Sequence, residues 1–134
     1  MTAKAVSAVV KMIAVMNLKY FKYEEFASPD VPHSGNYMDD DFLAMLDHAR
    51  HVAGIPFKIN SGYRTIEHNE KVGGKPNSSH IVGKAVDIAI KGSRERWIIL
   101  EALINSGFTR FGIANTFIHV DSDDYKDANV IWTY

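Results

Sequence analysis

Apolar residues recur at spacings of three and four in the middle of the chain, at Phe42, Leu43, Leu46, Ala49 and then Val52 or Ala53. That period predicts an amphipathic helix. It starts at Met38 or Asp39, with acids at its N-terminus, and ends at Gly54-Ile55-Pro56. Ser93 is a suitable N-cap for a second helix running to about Asn105 and stopping at Gly107. His68 to Val72 has room for one or two helical turns. The period changes to two from Ala85 to Ile90, where Val86, Ile88 and Ile90 alternate with Ala85, Asp87 and Ala89. Alternation of this kind predicts a strand with Asp87 on the face opposite the branched residues. Arg110 to Ala114 and Phe117 to Asp121 read as two more strands around a turn at Asn115, and Phe57 to Asn60 as a short one. The aromatic-rich segment Asn17 to Phe26 reads as a short element packed on the domain. Ser28 to Tyr37 and Gly73 to Ser79, rich in Pro, Gly, Asn and Ser, read as loops. Strands that come late and adjacent favour an α+β fold, with a small antiparallel sheet and flanking helices.

A length of 134 residues suits one domain. The expected division is an N-terminal extension or short helix over residues 1–16 and a single domain over 17–134. In the first segment Lys4 and the apolar residues after it resemble a signal peptide, but Lys11 interrupts the apolar run and no small-x-small cleavage site follows. Met16 offers an alternative start. A hydrophobic fraction of 46% with 11% aromatics is that of an ordered globular protein. The net charge of -1 and the absence of a basic run argue against a nucleic-acid partner. The chain has no cysteine, which excludes disulfides, thiolate metal sites and thiol nucleophiles. No apolar run reaches the ~18–20 residues that span a bilayer. The sequence carries no signal for an oligomeric state.

The candidate chemistry lies in Ser78-Ser79-His80-Ile81-Val82-Gly83-Lys84-Ala85-Val86-Asp87 and Phe117-Ile118-His119-Val120-Asp121. His80, Asp87 and His119 are two imidazoles and a carboxylate, a usual ligand set for a catalytic zinc, Zn²⁺, with its fourth position open to water. Such a site implies hydrolysis. Asp87 shares its strand face with the small residues Ala85 and Ala89, and His119 shares one with Asp121. Two neighbouring strands can therefore present Asp87 and His119 at one point, with His80 arriving from the loop and Gly83 turning the chain back. Asp121 is the nearby carboxylate that could take a proton from the zinc-bound water and deliver it to the leaving amine. Judged singly, Asp87 reads equally as a satisfied strand acid. His33, His48 and His51, in a loop or on a polar helix face, read as structural. In Ser61-Gly62-Tyr63-Arg64-Thr65 the arginine follows a turn; it either clamps a carboxylate by its bidentate fork or makes a surface ion pair.

Together, Ser61-Gly62-Tyr63-Arg64, His68-Asn69, Val72-Gly73-Gly74, Asn77-Ser78-Ser79-His80, Gly83-Lys84-Ala85-Val86-Asp87 and Phe117-Ile118-His119-Val120-Asp121 closely resemble the zinc D-Ala-D-Ala carboxypeptidase family and related peptidoglycan peptidases. The likeness, greatest to the small phage and bacterial members, extends over about Leu18 to Tyr134. It implies an α+β fold shared with the hedgehog signalling domain and zinc held by His80, Asp87 and His119. Arg64 matches the family's substrate-contacting arginine, and Ser78, Tyr63 and His68 fall in motif positions expected to bind substrate. Several relatives place a catalytic acid three residues before the last histidine ligand. Here that residue is Thr116, which cannot act as a base, so Asp121 is the substitute. The expected partner is a peptidoglycan stem peptide or cross-link. A D,D-carboxypeptidase, a D,D-endopeptidase and an L-Ala-D-Glu endopeptidase all remain open, as do phage lysin and bacterial wall-remodelling roles. The expected place of action is the bacterial cell wall, reached by export or by release from the cytoplasm. The sequence shows no separate wall-binding domain, so targeting is expected from the catalytic domain or a partner. The alternative is a non-catalytic zinc-containing module that binds peptidoglycan.

Overall fold

A computed structural model describes residues 18–134; the expected extension over 1–16, and Asn17, lie outside the described residues. Helix α1, Asp40–Ala53, begins where Asp39 accepts a hydrogen bond from the Phe42 amide at 2.9 Å, and ends on Gly54 at φ 70°. Acids in its first turn and Arg50 and His51 in its last complement the helix dipole. Phe42, Leu43, Met45, Leu46 and Ala49 are buried, while Val52 is exposed and Ala53 takes the inward position. Helix α2, Ile66–Lys71, is capped by the Thr65 hydroxyl. Helix α3, Ser93–Asn105, packs on α1 through Ile99, Ala102 and Leu103. Its N-cap is Gly92, one residue before the expected Ser93, which is already the first residue of the helix; the Glu95 carboxylate accepts the Lys91 amide at 3.2 Å. The aromatic-rich start forms a 3₁₀ turn at Tyr23–Phe26, and the expected loop Ser28 to Tyr37 contains another at Ser34–Tyr37.

The sheet has strands β1 Ile59–Ser61, β2 Ala85–Ala89, β3 Arg110–Ile113, β4 Phe117–Asp121 and β5 Val130–Thr133, in the order β1-β2-β4-β3-β5. The first three pairings in that order are antiparallel, as expected, but β5 runs parallel to β3, so the sheet is mixed. The cause is the route of the chain. β4 ends beside Arg110, and residues 122–129 stay at that end of the sheet, so β5 starts level with the start of β3. Val86, Ile88, Ile118 and Val120 turn to one face and form a core with Phe26, Phe42, Leu46, Phe57 and Leu103. The opposite face is left to Asp87, His119 and Asp121, so the apolar core is the platform that holds the polar site. The sheet and its helices give the α+β fold read from the sequence.

Candidate metal centre

Asp87 and His119 are register partners across β2 and β4. The Asp87 Oδ1 atom lies 3.0 Å from His119 Nδ1 and 3.3 Å from His80 Nε2. The ligand atoms of His80, Asp87 and His119 all fall within 4.8 Å of one another. A tetrahedral zinc with bonds of ~2.0–2.2 Å separates its ligands by roughly 3.3 Å, so the spacing fits that ion.

Each ligand is oriented from behind. The Nδ1 of His80 lies 2.8 Å from the Gly62 carbonyl oxygen. A carbonyl only accepts, so Nδ1 carries the proton and the Nε2 lone pair is left facing Asp87. The loop reaches this position through Gly83, at φ 71°; a Cβ there would come within 2.4 Å of the Tyr37 carbonyl oxygen, so the turn requires glycine. His119 Nε2 lies 2.7 Å from Asp121 Oδ2, a carboxylate–histidine pair of the kind that fixes the tautomer of a metal ligand. Asp121, 2% exposed, is committed on both oxygens, because Oδ1 accepts from Arg110 Nε at 2.7 Å and from the Asp123 amide at 3.1 Å. It therefore stands behind His119, away from the position expected of a base beside the metal.

The charges support this arrangement. Burial acts to raise the Asp87 pKa, but hydrogen bonds and charge from His119 and His80 outweigh it and hold the group far below the usual carboxylate range. Burial likewise raises Asp121, and His119, the Asp123 amide and Arg110 lower it further than burial lifts it. His119 moves the other way. Burial disfavours its charge, yet the carboxylates of Asp121 and Asp87 hold its pKa above the ordinary imidazole value.

A cleft of about 600 Å³ opens over the three ligands. Ser78 lines it, and its hydroxyl also accepts the His80 amide at 3.2 Å. Arg64 lines it too, with each nitrogen already engaged: Nε to Ser61 at 3.0 Å, one terminal nitrogen to Asn69 at 3.3 Å and the other to the outer oxygen of Asp87 at 3.4 Å. Two further guanidinium N–H groups remain for a ligand. Tyr63 and His68 are not among the lining residues. Tyr63 packs against the core and its ring meets that of Tyr37 at 5.5 Å, and His68 belongs to α2. Asn69, its neighbour, is the α2 residue that reaches the site through Arg64. His33, His48 and His51 also stand apart from the cleft. The acids among the lining residues are Asp87 and Asp121; Thr116 is absent from them.

One wall of the cleft consists of residues not expected from the sequence. Trp132 and Tyr134 line the cleft with Phe117, the indole centroid 5.5 Å from the His119 ring and 5.2 Å from the Arg110 guanidinium carbon. Phe117 and Tyr134 meet at 5.3 Å. The i, i+2 spacing of Trp132 and Tyr134 was the available signal, since a strand would place both on one face.

Comparison with known proteins places this geometry in context. A family model described as peptidase M15 matches residues 19–121. The zinc D-Ala-D-Ala carboxypeptidase of Streptomyces albus G is 38% identical over 65 residues, which are 48% of this chain and 25% of that protein. The match thus spans about a quarter of the relative's length.

Proposed function

The chain belongs to the peptidase M15 family, and from that premise we propose that it is a zinc metallopeptidase that hydrolyses peptide bonds in peptidoglycan stem peptides or their cross-links. The observation that carries the reading is the convergence of His80 Nε2, Asp87 Oδ1 and His119 Nδ1 at the floor of an open cleft. Zinc bound there supplies Lewis-acid polarisation of the scissile carbonyl and a water made acidic enough to attack near neutral pH.

The rest is done by the chain. The Gly62 carbonyl and the Asp121 carboxylate hold the two imidazoles in the tautomers that leave the ligating nitrogens free. Arg64 steadies the outer oxygen of Asp87 and keeps N–H donors for a substrate carbonyl or carboxylate. Ser78, Lys75 and Asn77 give the cleft a polar lining, and Phe117, Trp132 and Tyr134 an aromatic one. A peptide with small side chains and free carboxylates, as in a stem peptide, has chemistry suited to both linings. In this reading the protein acts at the bacterial cell wall. Among the described residues no helix is long and apolar enough to cross a membrane.

One observation favours a second reading, a zinc-containing module that binds wall peptides without cutting them. Both carboxylates lining the cleft are engaged, Asp87 as ligand and Asp121 behind His119, so among the described residues no free carboxylate lines the cleft. A digest of purified peptidoglycan with and without chelator, read by mass spectrometry for new termini, tests the two. Chelator-sensitive cleavage supports the peptidase and identifies the bond. A zinc-loaded protein that cuts none of several wall chemistries supports the binding module.

A further inference from the structure

The two histidine ligands come from unlike places. His119 stands in the middle of a sheet, whereas His80 stands in residues 72–84, which form turns with no helix or strand before β2. A spacing good to a few tenths of an ångström between a strand and a loop needs a tie. Asp123, 7% exposed, is placed to be one. Its backbone amide donates to Asp121 Oδ1 at 3.1 Å, and Asp121 holds His119. Its side-chain Oδ2 accepts from the hydroxyl of Ser79, the residue before His80, at 2.8 Å. Lys126 closes the same cluster, with its ammonium 2.9 Å from Ser79 Oγ, 2.8 Å from the Asn77 carbonyl oxygen and 3.5 Å from Asp123 Oδ2. The other Asp123 oxygen accepts the Tyr125 amide at 3.2 Å. A carboxylate this buried is costly unless fully partnered. Here each oxygen has a partner, and Asp123 is not among the three metal-site residues.

We propose that Asp123 is a positioning residue that couples the two histidine ligands: its carboxylate, through Ser79 and Lys126, holds the His80 loop, and its backbone amide, through Asp121, meets the support of His119, so that one buried residue sets the histidine spacing and with it the metal affinity. The inference rests on the zinc-site reading above and concerns residues that reading does not use.

The test is the zinc dissociation constant by chelator competition, together with the visible absorption spectrum of the cobalt-substituted protein, for wild type, Asp123→Asn, Ser79→Ala and the double variant. Supports of metal ligands are worth about 10–100-fold in affinity, and a tie one step further out falls at the low end, about tenfold. Each single variant is expected to weaken zinc by about that factor and to shift the cobalt bands, which report ligand geometry and not global stability. The double variant is expected to be no weaker than the poorer single, because both changes cut one tie. Asp124→Asn, which breaks the neighbouring exposed pair with Lys84, serves as the control and is expected to leave both readouts unchanged. Unchanged zinc affinity and cobalt spectrum in Asp123→Asn overturn the proposal, and so do multiplied losses in the double variant. If Asp123→Asn fails to fold, Ser79→Ala alone decides, and wild-type values there overturn the proposal equally. A wild-type protein that takes up no zinc would instead overturn the zinc-site reading, so the two failures are distinguishable.

Discussion

Asp87 and His119 face each other across the β2–β4 ladder, with the carboxylate oxygen of one 3.0 Å from the ring nitrogen of the other. This contact lies on the polar face of the sheet, opposite the apolar core. Each residue points to the cleft because its neighbours Val86, Ile88, Ile118 and Val120 point to the core.

His80→Ala and His119→Ala are expected to lose stoichiometric zinc, read by metal analysis of protein purified without a histidine tag. Each change removes one of the ligands and leaves the core face of the sheet untouched. Full zinc retention in both variants would exclude the proposed ligand set.

Asp121→Asn separates support from proton transfer. With its charge removed from behind His119, zinc affinity is expected to fall about 10–100-fold. If Asp121 only holds the imidazole, saturating zinc restores most of kcat for stem-peptide cleavage. A kcat that stays depressed at saturating zinc returns Asp121 to the role of base.

Zinc binding is expected to strengthen with rising pH beyond the ordinary imidazole range. His119 has a raised pKa in the metal-free fold, so a proton competes for the ligating nitrogen at pH values where a free imidazole is already neutral. The sign for stability is the reverse. In metal-stripped protein the protonated His119 contributes stability that is full below the unfolded imidazole pKa and is lost as pH rises through the raised folded value. Chelator competition and thermal unfolding across mildly acidic to mildly alkaline pH check the two trends, and a flat zinc affinity would count against the first.

Gly112→Ala addresses the aromatic wall. A Cβ at Gly112 would lie 2.5 Å from Trp132 Nε1 and 2.9 Å from Tyr134 Cε2, so both rings must move. The expected loss is about 1–3 kcal/mol of stability from overpacking. A rise in KM, with a change in tryptophan fluorescence, would accompany it. Unaltered KM would mean that the wall does not meet substrate.

Ile88→Ala makes the complementary cut, one residue from Asp87 but on the core side, where Ile88 is fully buried. It is expected to destabilise by about 2–5 kcal/mol, measured by denaturant unfolding. Zinc per folded molecule should remain at the wild-type level.

What the sequence determined by itself was the chemistry and the faces. Alternation across 85–90 and 117–121 was enough to turn Asp87, His119 and Asp121 to one side, because side-chain direction in a strand follows directly from residue number. The ends of α1 were equally local, being written in Asp39 and Gly54. The remaining features depend on contacts distant in sequence. β5 is a four-residue edge strand, too short for its own residues to set its direction, and its parallel pairing follows from where β4 ends. That Asp121 lies behind His119, on the ring nitrogen opposite Nδ1, depends on the rotamer of that ring and on Arg110 and Asp123, neither of which its strand period encodes. Tyr63 and His68 shared a motif with Arg64, but one packs inward and the other follows its own helix. Asp123 and Ser79 are 44 positions apart in the chain, and only folding brings them to 2.8 Å.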